Sequence, residues 1–172
     1  KQGKYIFSWA QAPDKSIILG YADSGNRGYL LITPDGEKKE LSLTKPDGTV
    51  LGADNFIKLF SFSADNRLFA MDISSVVYEV DPETGKMEKV LDGGSAAYMN
   101  NSGNLLIVVS TASVYLYDLE SGSLLEQDPV LEEFILDHAD IWTSTDRNDS
   151  SFMITKADDQ ALYLFCNGGI YR

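Results

Sequence analysis

The chain is short of the residues that build the commoner metal and nucleophile sites. It has one cysteine, Cys166, and one histidine, His138, so a Cys/His zinc cluster is excluded, as is an intrachain disulfide. Cys166 stands in the apolar run 161–166 and is expected to be a buried, inert thiol. A Ser-His-Asp site would have to use His138, which sits among the acidic residues Asp137 and Asp140 and reads as a surface residue. No Gly-x-Ser-x-Gly sequence marks a nucleophile, and no Gly-x-x-x-x-Gly-Lys-Ser/Thr or Gly-x-Gly-x-x-Gly turn marks a nucleotide site. The longest apolar runs, 105–109 and 161–166, are strand-sized. They fall far short of the roughly 20 residues that span a bilayer, so no transmembrane segment is expected. Cations are scarce as well: 14 Lys and Arg stand against 26 Asp and Glu, for a net charge of −12. Such a surface repels nucleic acid and anionic lipid and excludes both as partners; otherwise it serves solubility. No tightly held metal or cofactor is expected. The chain opens Lys1-Gln2-Gly3 with no initiator methionine and reads as a processed chain or a portion of a longer one.

What is present is a repeat. Residues 29–38, 76–86 and 113–123 each carry an apolar strand, a turn ending in glycine, and a polar strand. Gly85 and Gly122 stand 37 residues apart, and Gly36 and Gly85 stand 49 apart. The first spacing approaches the period of about 40 to 45 residues of a propeller blade; the second leaves room for a longer loop. A second turn precedes each of these strands: Pro13-Asp14-Lys15, Ala64-Asp65-Asn66, Ser102-Gly103-Asn104 and Asp158-Asp159-Gln160. Asp and Asn bond their own backbone in turns, and Gly supplies positive φ. Each unit then reads as strands A to D: an A–B turn, a B–C loop and a glycine-bearing C–D turn.

The predicted fold is all-β, made of four-stranded meander blades of the β-propeller type, about 3.5 to 4 of them in one domain over 1–172. The blades fall at about 4–45, 55–91, 95–127 and 150–172, with an irregular connection at 128–149. Strand B is apolar on both faces in the third and fourth units, as suits a strand covered on both sides. Strand D is polar, as in Glu37-Lys38-Lys39-Glu40 and Lys86-Met87-Glu88-Lys89, which discourages pairing with other chains. Residues 129–139 fit either one short helix or an outer strand running into a loop. The fourth unit stops at Arg172 without a strand D. The chain is therefore expected to be part of a longer protein, or to form a homodimer through its open blade ends.

Tyr115-Leu116-Tyr117-Asp118-Leu119-Glu120-Ser121-Gly122 and Val80-Asp81-Pro82-Glu83-Thr84-Gly85 resemble the strand C and turn of WD-repeat and related bacterial propellers. The Gly-His pair of true WD blades is missing. Over its whole length the chain also resembles the propeller-like N-terminal region of Gram-positive extracellular solute-binding lipoproteins, with Cys166-Asn167-Gly168-Gly169-Ile170-Tyr171-Arg172 similar to a blade of those proteins. That resemblance implies an extracytoplasmic setting, a lipid-anchored cell surface, and a part in sugar or peptide uptake in which a different domain holds the transported solute.

The expected function is accordingly a non-enzymatic binding or interaction module for a protein, peptide or glycan. The alternatives are a fragment of a propeller enzyme acting on glycans and the sensor domain of a larger receptor. The A–B and C–D turns lie at one end of the blades and are short and alike. The B–C loops and blade connections lie at the other end and differ: 22–28, 44–54, 92–95 and the long 128–150. Irregular loops on a rigid scaffold are where function concentrates. Ligand contacts are expected there, at Asp137, Asp140, Trp142 and Asp146, with Asn26 and Arg27 as neighbours. Trp142 beside carboxylates suits a sugar ring; the plugging of a blade end suits a large aromatic better. The acidic cluster lacks Ca²⁺-loop spacing. The far-ultraviolet circular dichroism spectrum should be that of β-sheet; one dominated by helix would contradict the fold.

Overall fold

The computed structural model describes residues 5–92, 96–100, 102–109, 114–125, 133, 152–157, 162–166 and 169–171. They form four antiparallel meander sheets in chain order. The first comprises β1 (Tyr5–Gln11), β2 (Ile17–Asp23), β3 (Asn26–Ile32) and β4 (Lys38–Leu41). The second comprises β5 (Ile57–Phe62), β6 (Leu68–Asp72), β7 (Val76–Val80) and β8 (Met87–Asp92). In the third are β9 (Ala96–Met99), β10 (Leu105–Val109), β11 (Val114–Asp118) and β12 (Ser123–Leu124). The fourth holds β13 (Phe152–Ala157), β14 (Leu162–Cys166) and β15 (Gly169–Tyr171). These are the propeller-type blades that the repeated turns predict. The residues at 129–139 that fit either a helix or a strand lie outside the described residues, Glu133 apart. The chain divides into two compact units, Lys1–Gly93 and Gly94–Arg172.

The turns follow from their residues. At the glycine-bearing turns, the N–H of Gly36, Gly85 and Gly122 bonds the carbonyl of Thr33, Asp81 and Asp118 at 2.9, 2.8 and 3.0 Å, and all three glycines have positive φ. Aspartates bind the same turns. Asp35, Asp81 and Asp118 accept hydrogen bonds from Thr33, Thr84 and Ser121, which hold their carboxyls below the ordinary range. The A–B turns use a non-glycine residue twice, Lys15 at φ 80° and Asn66 at φ 64°; asparagine tolerates that region better than lysine.

A feature the repeats did not announce recurs in the A strands. β1, β5 and β13 each carry a register shift, between Ile6 and Ser8, Ile57 and Leu59, and Ile154 and Lys156. An isoleucine precedes the extra residue each time, so the bulge is a sequence signal of the repeat. The extra residue is Phe7, Lys58 or Thr155.

In the first unit the inner face of sheet one carries Ile18, Tyr29 and Leu31. Together with Ile57, Phe60, Leu68, Ala70, Tyr78 and Val80 of sheet two they make one core, which Leu43 and Leu51 of the connection join. Tyr29, 1% exposed, meets Phe7 and Phe60 edge-on at 6.3 and 5.9 Å. The opposite face of sheet one exposes Ile6 and Trp9. Both faces of β6 are buried, all five residues included, a pattern expected for the third and fourth units but not for this one. In the second unit Leu106, Ile107 and Val108 of β10 are buried.

Two connections differ from expectation. Residues 22–28 are not an irregular loop. Asp23 pairs with Asn26 around a two-residue turn in which Ser24 and Gly25 have φ 52° and 92°, the doubly positive geometry that suits the twist of a hairpin. The connection 44–54 is also ordered. Thr44 pairs antiparallel with Val50 and parallel with Lys86, so the outer edge of sheet two is covered at that point by the chain that precedes it.

Gly85 is the most constrained glycine of these turns. It has φ +73°, and a Cβ there would lie 2.4 Å from the backbone oxygen of Ser42. Gly36 and Gly48 have φ +88° and +84° with open space around them. G36A and G48A should each cost about 1–2 kcal/mol from backbone strain, and G85A distinctly more, about 3 kcal/mol or above, because backbone must also move. Urea unfolding of the three variants checks the difference.

Candidate functional site

The meander puts the β2–β3 turn, the β6–β7 turn and Phe56, at the close of the connection 42–56, at one end of the first unit, while the start of that connection runs along the β7–β8 turn, where the Thr44 N–H bonds the Gly85 carbonyl. The opposite end holds the short turns, two of them tied together where the Asp14 N–H donates to Asn66 Oδ1 at 3.2 Å. Two cationic groups stand at the end with the uneven connections, in very different states.

The first is Lys45, in the tight turn Lys45–Thr49. Its Nζ donates to Asp72 Oδ2 at 2.5 Å and lies 5.5 Å from the centre of the Tyr78 ring. The Asp72 side chain is fully buried and that of Lys45 is 13% exposed. Asp72 Oδ1 accepts the N–H groups of Ser74 and Val76 at 2.9 and 3.1 Å, so the carboxylate also shapes the β6–β7 turn. Burial alone would lower the Lys45 pKa, but the hydrogen bond to Asp72 and the neighbouring Tyr78 hydroxyl prevail and raise it. Burial raises the Tyr78 phenol, against the opposing pull of Lys45. Both groups are therefore held in their protonated forms at neutral pH. The trio clamps the connection onto sheet two, and neither Lys45 nor Tyr78 is poised to take up a proton.

The second is Arg27. Its guanidinium carbon lies 3.4 Å from the centre of the Phe56 ring and 4.9 Å from that of Phe7; the two rings meet edge-on at 5.6 Å and 72°. The bulge in β1 explains the place of Phe7. The extra residue turns its ring onto Gly20, where any Cβ would lie 2.6 Å from Phe7 Cε2. Register explains the isolation of Arg27. Ala22 pairs with both Tyr5 and Arg27, so the three share one row of the inner face, and that row holds no acid. Asp23 belongs to the opposite face and accepts from Ser24 Oγ at 3.1 Å. Arg27 is half-buried and makes no hydrogen bond or ion pair among the described residues. By contrast Lys39, Arg67 and Lys89 pair with Glu83, Glu79 and Asp92, while Lys15, Lys38 and Lys86 are exposed.

Of the residues singled out from the sequence, Asn26 and Arg27 are strand residues at the start of β3, not loop residues. They are adjacent and so project to opposite faces, Asn26 exposed. Asp137, Asp140, Trp142 and Asp146 lie outside the described residues. Sequence reasoning missed Phe7, Phe56, Lys45 and Asp72. A signal existed for Asp72, a charge closing the otherwise apolar run Leu68-Phe69-Ala70-Met71. Among the described residues no three His, Cys, Asp or Glu side chains converge to hold a metal ion, and no helix is long and apolar enough to cross a membrane.

No protein-family model matches the chain, and no curated protein matches it. Among solved structures it is similar to virginiamycin B lyase from Staphylococcus aureus, at 10% identity and a TM-score of 0.48 over 74% of this chain and 45% of that one. It is also similar to a protein from Lactobacillus plantarum, at 17% identity and a TM-score of 0.37 over 73% of this chain and 55% of that one. The chain thus spans about half the length of these structures.

K45M should destabilise the protein by about 3–5 kcal/mol, because it leaves a buried carboxylate without its partner. Adding D72N should recover part of that loss; equilibrium unfolding of the single and double variants measures both. Lys45, Tyr78 and Tyr29 all have raised pKa values, Tyr29 through burial against the opposing effects of Ile57 and Arg27. The native state therefore holds these protons more tightly than the unfolded chain. Their contribution is complete below the unfolded-state values of about 10 and is lost as pH rises through the native ones. Melting temperatures measured from pH 8 upward should fall above about pH 10, and less steeply in the Y78F variant.

Proposed function

We propose that this chain is a non-enzymatic binding module that holds its ligand at the end of the first unit bearing the β2–β3 turn, Phe56 and the β6–β7 turn. The observation that carries the reading is Arg27, half-buried against Phe56 and Phe7 with its donors unused among the described residues. A guanidinium so placed has lost water and gained only ring contacts, which makes it a strong attractor for a ligand acceptor. The nearby Lys45–Asp72–Tyr78 group supports binding over turnover, since its polar atoms are engaged in the fold. The resemblance to the propeller-like region of solute-binding lipoproteins supports a setting outside the cytoplasm, as one part of a larger uptake protein.

Thermal-shift screening of the whole chain against peptide and oligosaccharide panels tests this. A ligand should raise the melting temperature by mass action, R27Q should abolish the shift, and mass spectrometry should recover the ligand unchanged. Recovery of a cleaved or rearranged ligand would favour the alternative of a propeller enzyme acting on glycans.

A further inference from the structure

We propose that Arg27 anchors a side-chain carboxylate of an acidic peptide laid across this end of the first unit, an inference that rests on the binding reading above. The guanidinium carries five N–H donors in a fixed planar fork and stays charged at any physiological pH. None of the five is used among the described residues. Its guanidinium carbon is held over Phe56 at 3.4 Å and over Phe7 at 4.9 Å, so the group is positioned before a ligand arrives and little side-chain freedom remains to be lost. A carboxylate accepts such a fork with two parallel hydrogen bonds. The row that could have supplied an internal carboxylate holds Ala22 and Tyr5 instead.

The neighbours favour a peptide over an acidic sugar. The faces of Phe7 and Phe56 turned to this site are taken by the guanidinium, so in the row of Arg27 a pyranose ring would have only the Tyr5 ring to stack on. What remains exposed suits apolar peptide side chains. Ile73, whose N–H donates to the Phe56 carbonyl at 3.1 Å, is 42% exposed, and Tyr5, in the row of Arg27, is 58% exposed. At physiological salt, charges farther than about 8 Å away are largely screened, so most of the net charge of −12 does not reach a single carboxylate held by Arg27, unlike the extended charge of a nucleic acid or lipid surface.

The test uses the whole chain and two soluble libraries of acetylated, amidated nonapeptides, identical except for Glu or Gln at the centre, with fluorescence polarisation of the selected binders. Binders should come from the Glu library. Changing Glu to Gln in a binder should weaken it about tenfold or more, R27Q should weaken the Glu peptide by a like factor, and R27K should restore only part. The Gln peptide should bind R27Q and the parent chain equally, which also shows that R27Q is folded. Equal binding of Glu and Gln peptides overturns the inference, and so does full Glu preference in R27Q, binding by neither library, or displacement by oligogalacturonate of a peptide indifferent to its Glu. Peptide binding at this end without carboxylate preference leaves the binding reading standing and removes only Arg27's role. An Arg27-dependent carboxylate preference with the peptide recovered cleaved does the reverse.

Discussion

A tyrosine buried between two sheets must find a partner for its hydroxyl, and the first unit is organised around that requirement at Tyr29. Its Oη accepts the N–H of Ile57 at 2.9 Å. That N–H opens β5, beside the bulge that follows Ile57. A buried, unmade hydrogen bond costs about 1–3 kcal/mol, so the bond sets where β5 may start relative to β3. The rings of Phe7 and Phe60 then close on Tyr29 from β1 and β5. With β5 so placed, Phe56 immediately before it is brought over Arg27, two residues before Tyr29 in β3. The same contact that seats one sheet on the other thus creates the stacked guanidinium.

The two cations of that end show how an acidic chain distributes its few positive charges. Lys45 is committed. Its partner Asp72 is buried and also bonds two backbone N–H groups of its own turn, so the charge is consumed in holding the connection 42–56. Arg27 is committed only through ring contacts, which leave the edge of a guanidinium open. Exposed ion pairs such as Lys39–Glu83 and Lys89–Asp92 contribute little to stability, and their loss would not reorganise the fold. The contrast separates a charge that builds the structure from one that the structure presents.

The strands and tight turns were legible because their causes are local. Gly36, Gly85 and Gly122 stand where positive φ is required, and the aspartates beside them bond the next residues of the same turns. The bulges were legible in principle, since Ile6, Ile57 and Ile154 each precede one, but the three A strands share too little else for that to stand out. The hairpin at Ser24-Gly25 was misread as a loop because only Gly25 advertises a positive φ; Ser24 adopts one at 52° under the demand of the pairing strands. Thr44 beside Lys86 was hidden for a different reason. A parallel bridge between a connection and the outer strand of the following sheet has no periodic signature.

By itself the sequence determined the all-β class, the repeat, the order of strands and the sign of the surface, because alternation, turn chemistry and composition act over a few residues. It also named Arg27 as standing at the end where connections are uneven. Only the tertiary structure decided what Arg27 and Asp72 became. Strand faces alternate with a period of two, so a slip of one residue would turn Arg27 away from Phe56 and toward the face of Asp23. The choice between a paired and a presented charge therefore rests on register between strands and on the packing of two sheets, neither of which is written in any short stretch of chain.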